Sequence, residues 1–191
     1  MTHAQPPAFH PLLIEIDEAS FAEARDRVKP WLAIVTSVQS ALRRMLEDTV
    51  PNVNEPYLHD YLGVVLQAAQ EHEDRITDLY RAFGHEPAST GVVESTTAAV
   101  IAKTREAVGQ VEGLAGGAHA KNWRTLRVIV LTNLDAISGF AVVEQLGLAL
   151  GRPQVIGITF PIVHQKTEHQ LFLQEALLEM APLAILYHRD L

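Results

Sequence analysis

Three residues invite a chemical reading first: His72, His169 and Asp135. His72 interrupts a stripe of Leu58, Leu62, Val65, Ala69, Ile76, Leu79 and Phe83. His169 shares a helical face with Ile162, Leu173, Ala176 and Met180. Asp135 sits mid-way along the most apolar stretch of the chain. Two neutral imidazoles and a carboxylate form a donor set for one iron, manganese or zinc ion, with Glu168 and Glu144 as further oxygen donors. The plainer alternative, which the residues favour, is a polar core cluster whose members satisfy one another by hydrogen bonds. The two readings differ in geometry, because ligand distances near 2.0–2.2 Å cannot join groups more than about 7 Å apart.

Other groupings read more simply. Glu71, Glu73, Asp74 and Arg75 form a solvated face of one helix. His164 and Glu168 are spaced i,i+4, which suits a helix-stabilising pair. Asp60, beside His59, offsets a helix dipole. His3, His10, His85, His119 and His188 are expected at the surface. There is no Gly-x-Ser-x-Gly elbow, no Walker loop and no Gly-x-Gly-x-x-Gly after a strand.

The elements that must position these groups are helices. Apolar steps of three and four run through Trp31, Ile34, Val35, Val38, Ala41, Leu42 and Met45, predicting a helix over about 31–47. The stripe through His72 predicts a second over about 55–83, closed by Gly84 with Pro87 beyond. A shorter helix is expected over about 92–111, followed by a glycine loop, Gly113 to Gly117. A nearly uniformly apolar helix follows over about 122–150 and should be buried on most sides. The last helix starts near Gln154 or at Pro161 and is closed by Pro182. Residues 1–29 read as an arm with a short helix capped by Ser20 and broken or kinked by Pro30, and residues 30–191 as one helical body. Only Val155 to Phe160 is ambiguous between helix and strand.

Composition supports an ordinary globular domain: 191 residues, 48% hydrophobic and 20% charged. The net charge of −8 argues against a phosphate-tracking surface, so no nucleic-acid partner is expected. Without cysteine there are no disulfides, thiolate metal sites or cysteine nucleophiles. Residues 128–150 are long enough to span a bilayer, yet they hold Asn133, Asp135, Glu144 and Gln145, so a core helix is the better reading. A cytoplasmic location is expected.

Four short runs carry a resemblance: Ala41-Leu-Arg-Arg-Met45, Leu79-Tyr-Arg-Ala-Phe-Gly-His-Glu-Pro87, Gln145-Leu-Gly-Leu-Ala-Leu-Gly151 and Leu177-Leu-Glu-Met-Ala181. With the order of helices over residues 30–181, the chain resembles the ferritin-like superfamily. It looks nearest to the small bacterial stress-protein branch whose biochemical role is unassigned. The resemblance implies an all-α, ferritin-like four-helix bundle of two antiparallel hairpins with a shorter crossing helix. It also implies one Glu on each of two helices and a Glu-x-x-His on each of the others, holding iron or manganese. The chain departs from that pattern. Residues 31–46 contain no acid, Ala69 stands three before His72, and Lys166 stands three before His169.

Two functions follow as expectations. The first is a bundle without a complete di-metal centre, acting by association or by binding a small apolar ligand, with a role in stress response. Its apolar 122–150 helix and the tail Leu183 to Tyr187 suggest a homodimer. The second is a metal-dependent oxidoreductase or metal-handling protein using His72, Asp135, His169, Glu168 and Glu144. A heme-oxygenase-like enzyme ranks below both.

Overall fold

A computed structural model describes residues 17–87, 95–103 and 121–189. The described residues are helical throughout, with short connections and no strand. Helix α1 spans Glu18–Asp26, α2 Val28–Thr49, α3 Pro56–Phe83, α4 Lys121–Ala149 and α5 Pro153–Ile185. A single 3-10 turn, Val50–Asn52, links α2 to α3. Residues 95–103 are also helical, the described part of the expected crossing helix. The remainder of that helix, the Gly113 to Gly117 loop, His3, His10 and His119 lie outside the described residues.

The helix ends have local causes, and three differ from expectation. Asp17, not Ser20, caps α1: its carboxylate accepts from Ser20 N at 2.9 Å. Pro30 does not break the chain there, because it is the third residue of α2, where no intrahelical N–H partner is required. Glu55 caps α3 by accepting from Leu58 N, and Gly84 ends it in the left-handed region at φ 76°. Helix α5 runs straight through Pro161 and continues past Pro182. An interior proline costs about 3 kcal/mol. Burial of Val155, Thr159, Ile162, Lys166, His169 and Leu173 along one face holds α5 together. Residues 155–160, the ambiguous piece, are therefore helix.

Neighbouring helices run antiparallel, as their paired residues show. Gln39 Nε2 donates to the Ala69 carbonyl (2.8 Å), and Ser40 Oγ donates to Glu73 (2.5 Å), between α2 and α3. Between α4 and α5, Trp123 Nε1 donates to the Leu177 carbonyl, Asn133 Nδ2 to that of Lys166, and Thr159 Oγ1 to Glu144. Trp31 Nε1 donates to the Gly139 carbonyl of α4. Between α3 and α5, Tyr61 stacks on Phe172 and His72 meets Gln165. At one end Asn122 Nδ2 bonds the Asn52 carbonyl, and at the other His85 Nε2 lies 2.9 Å from the Arg25 carbonyl. Helix α3 thus ends, and α4 begins, at opposite ends of the body, about 40 Å apart at 1.5 Å per residue.

Two apolar clusters fill the interior. One gathers Leu42, Leu46, Leu58, Leu62, Leu126, Ile129 and Leu173. The other gathers Leu32, Val35, Ile76, Phe83, Phe140, Val155 and Ile162. The buried face of α2 is rotated from the stripe read in the sequence: Leu32 and Leu46 are fully buried, whereas Ile34 is exposed. Helix α4 is the one helix among the described residues long and apolar enough to cross a membrane, and it packs on both α2 and α5.

Candidate functional site

Between the two apolar clusters lies a polar layer. Each long helix contributes to it: Gln39 from α2, His72 from α3, Asn133 from α4, and Lys166, His169 and Gln170 from α5. All six are buried. The α5 residues meet there because 166, 169 and 170 fall on one helical face. Asn133 Nδ2 joins the Lys166 carbonyl (3.1 Å) and Gln170 Oε1 (2.9 Å), and so ties α4 to the centre of α5.

The layer is incompletely paired. His72 Nε2 lies 2.9 Å from Gln165 Oε1. With an oxygen as partner, Nε2 carries the hydrogen and Nδ1 carries a lone pair. Among the described residues that Nδ1 has no partner, and neither do Gln39 Oε1 and Gln170 Nε2. Buried polar atoms without partners each cost about 1–3 kcal/mol. Lys166 is the largest anomaly. No carboxylate lies within ion-pair distance of it among the described residues, and its ammonium sits 5.9 Å from the centre of the Phe140 ring. Burial alone pushes its pKa down to about 7. Burial, and then the Lys166 charge, push His72 down to about 4, although its bond to Gln165 opposes the change. His169 is lowered by the same two causes, against the charge of Glu168.

One side of the layer approaches the surface. A groove of about 260 Å³ runs between α3 and α5, over His72 and Gln165. Ile158, Pro161 and Ile162 make its apolar wall, Gly157 leaves it open, and Glu71 and Arg75 stand at its rim. Toward the other end of the same seam, Tyr57 and Tyr61 meet Phe172, and a smaller groove of about 140 Å³ runs past Tyr57 and Phe172.

The residues singled out from sequence do not form one constellation. His72 and His169 are both in the layer, close enough for their charges to interact. Asp135 is exposed, in a separate groove with Trp31 and Ile34. Glu168 is exposed and pairs with His164 at 3.5 Å. Glu144 is half-buried and accepts from Thr159. Among the described residues no three His, Asp or Glu side chains converge where they could hold a metal ion. The iron or manganese centre implied by the ferritin-like resemblance therefore does not fit: two imidazoles lie beside an ammonium, and Glu168, whose charge reaches His169, is exposed and bonded to His164.

Two smaller readings change. Glu73 is not part of a solvated face, because it is half-buried and bonded to Arg43 and Ser40, with Arg43 also holding Glu47 at 2.6 Å. His85 is tied to the Arg25 carbonyl rather than standing free. Lys166, Gln39, Asn133, Gln165 and Gln170 were not read as a group. A signal existed in the run Ile162, Lys166, His169, Leu173, whose steps of four, three and four place a lysine on the core stripe. No family model matches the chain, and no curated protein or solved structure is detectably similar to it.

Proposed function

We propose that the chain is a ferritin-like four-helix bundle without a di-metal centre, and that it acts by holding a small, largely apolar ligand in the α3–α5 groove. The antiparallel pairings α2–α3 and α4–α5 support two hairpins. The opposite positions of the end of α3 and the start of α4 support a long crossover between them. The observation that carries the ligand reading is the groove itself: an apolar wall of Ile158, Pro161 and Ile162 above a polar floor of His72 and Gln165. Apolar walls with a few convergent polar groups are the usual form of a small-molecule site.

The test uses 1-anilinonaphthalene-8-sulfonate as an apolar probe. The folded protein is expected to bind one equivalent. In Gly157→Leu the new side chain occupies the groove, since a Cβ at this position meets nothing within 4 Å. Its affinity for the probe should fall by about tenfold or more. Equal binding by the two proteins would refute the assignment of the groove.

Association between two copies is a second reading, favoured by the exposed Leu131, Leu134, Val142 and Leu148 along α4. Sedimentation at micromolar concentration should show a dimer that Leu134→Lys disrupts; a monomeric wild type would remove this reading.

A further inference from the structure

Lys166 is unexplained by a groove that merely binds. A methionine or leucine would fill the same core position without burying an amine that no carboxylate among the described residues pairs with, so the lysine needs a chemical reason. We propose that Lys166 is a carbonyl-capturing amine: it condenses with a small aldehyde or ketone that enters over His72 and Gln165, forming an imine inside the helical body. The inference rests on the groove assignment above.

Four observations carry it. Lys166 is fully enclosed, and no carboxylate among the described residues holds it as an ion pair. Lys166 does not line the groove itself, but its charge acts on His72, which forms the groove floor with Gln165. The His72 ring has a lone pair on Nδ1 with no partner. Gln39 Oε1 and Gln170 Nε2, an acceptor and a donor, also lack partners in the same layer. A carbonyl oxygen and the hydroxyl that replaces it during condensation need both kinds of partner. The amine is moreover suited to attack. An exposed lysine at pH 7 has on the order of one uncharged amine in 10³, whereas burial brings Lys166 to about 7. Desolvation in an apolar pocket is an established way to activate a lysine nucleophile.

The condensation needs no oxidant. The Lys166 Nζ lone pair forms a bond to the carbonyl carbon, and the carbonyl π pair moves to oxygen. His72 Nδ1 carries one proton from the nitrogen to that oxygen, making a hydroxyl, and then carries the second nitrogen proton to the hydroxyl. The carbon–oxygen bond breaks, water leaves, and the carbon–nitrogen double bond remains. His72 serves here as the proton carrier, with Gln165 fixing its ring.

The chain has only four lysines, and Lys29, Lys103 and Lys121 are exposed, which makes the test direct. The folded protein is incubated with benzaldehyde and cyanoborohydride at pH 7, and benzylated lysines are mapped by peptide mass spectrometry. The expected result is one benzyl group per chain on Lys166, formed about tenfold or more faster than on any exposed lysine. Gly157→Leu and His72→Gln should each slow that labelling. Lys166→Met removes it, and circular dichroism checks that this variant remains folded. Labelling confined to Lys29, Lys103 and Lys121, in protein that still binds the naphthalene probe, overturns the imine proposal and leaves the groove standing. Loss of both probe binding and Lys166 labelling overturns the groove reading as well.

Discussion

Helix α5 makes two seams of opposite character. Against α4 it packs so closely that a Cβ on Gly147 would lie 2.6 Å from Val155. Against α3 it stacks Phe172 on Tyr61 and opens into the groove over His72 and Gln165. One seam is a backbone-level fit with no room for a methyl group, and the other is lined by groups that have unused hydrogen-bonding capacity. A single helix can therefore be held rigidly on one side while it presents chemistry on the other. The polar layer lies where the two meet, since Asn133 fixes the Lys166 carbonyl from the tight side.

Four changes would break or sharpen this contrast. The largest effect is expected at the tight seam. Gly147→Val places atoms where Val155 already stands and should cost about 3 kcal/mol or more. A thermal melt showing a loss under 1 kcal/mol would mean the seam is softer than it looks. Acid should act on the polar layer next. The folded-state pKa of His72, about 4, lies below its unfolded value of 6.5, so in that window the unfolded chain binds a proton that the native state refuses. Stability should fall as pH drops from 6.5 to 4, by about 2–3 kcal/mol from this residue. Urea titrations of wild type and His72→Gln across that window check the sign and the size.

Lys166 works in a higher window by the same logic. Its folded-state pKa of about 7 lies below the unfolded 10.5, so stability should rise as pH increases from 7 to 10.5. Lys166→Met removes that slope. At pH 7 it should stabilise the protein by about 1–2 kcal/mol, because a buried unpaired charge is exchanged for hydrocarbon. A destabilised Lys166→Met would show that the amine is compensated in the folded state. The smallest effect belongs to the open seam: Gly157→Ala meets nothing and should stabilise α5 by about 0.5–1 kcal/mol. The pair Gly147→Val and Gly157→Ala, ten positions apart on α4 and α5, thus sets two glycines with opposite expected signs against each other.

Much of the helical frame was legible in the residues. The three-and-four steps around His72 located α3 to within a residue or two, and Gly84 marked its end because a left-handed cap strongly favours glycine. Proline was the poorer guide. Pro30, Pro161 and Pro182 all suggested boundaries, yet all three lie inside helices. A proline's cost is local, whereas the burial that outweighs it is summed over many residues of the same face. The candidate site was legible only in part. His72 and His169 stood out as polar interruptions of apolar stripes, and both are in the core. Asp135 was read beside them and Glu168 as a further donor, but a rotation of a few tens of degrees about the helix axis separates an inward residue from an outward one. Periodicity in a nearly uniform helix such as α4 does not set that angle.

The sequence by itself determined that the chain is all-helical, without cysteine chemistry, and interrupted at its apolar centre by two histidines. Those features depend on composition and on spacing along one helix, which a linear string records directly. Tertiary structure decided which polar groups meet. It brought Gln39, Asn133, Lys166 and Gln170 around the histidines and left Asp135 and Glu168 outside. It also opened a groove beside the layer. Those outcomes depend on how four helices are rotated and how closely each pair approaches. Packing between side chains distant in sequence sets both, so no single helix carries the information.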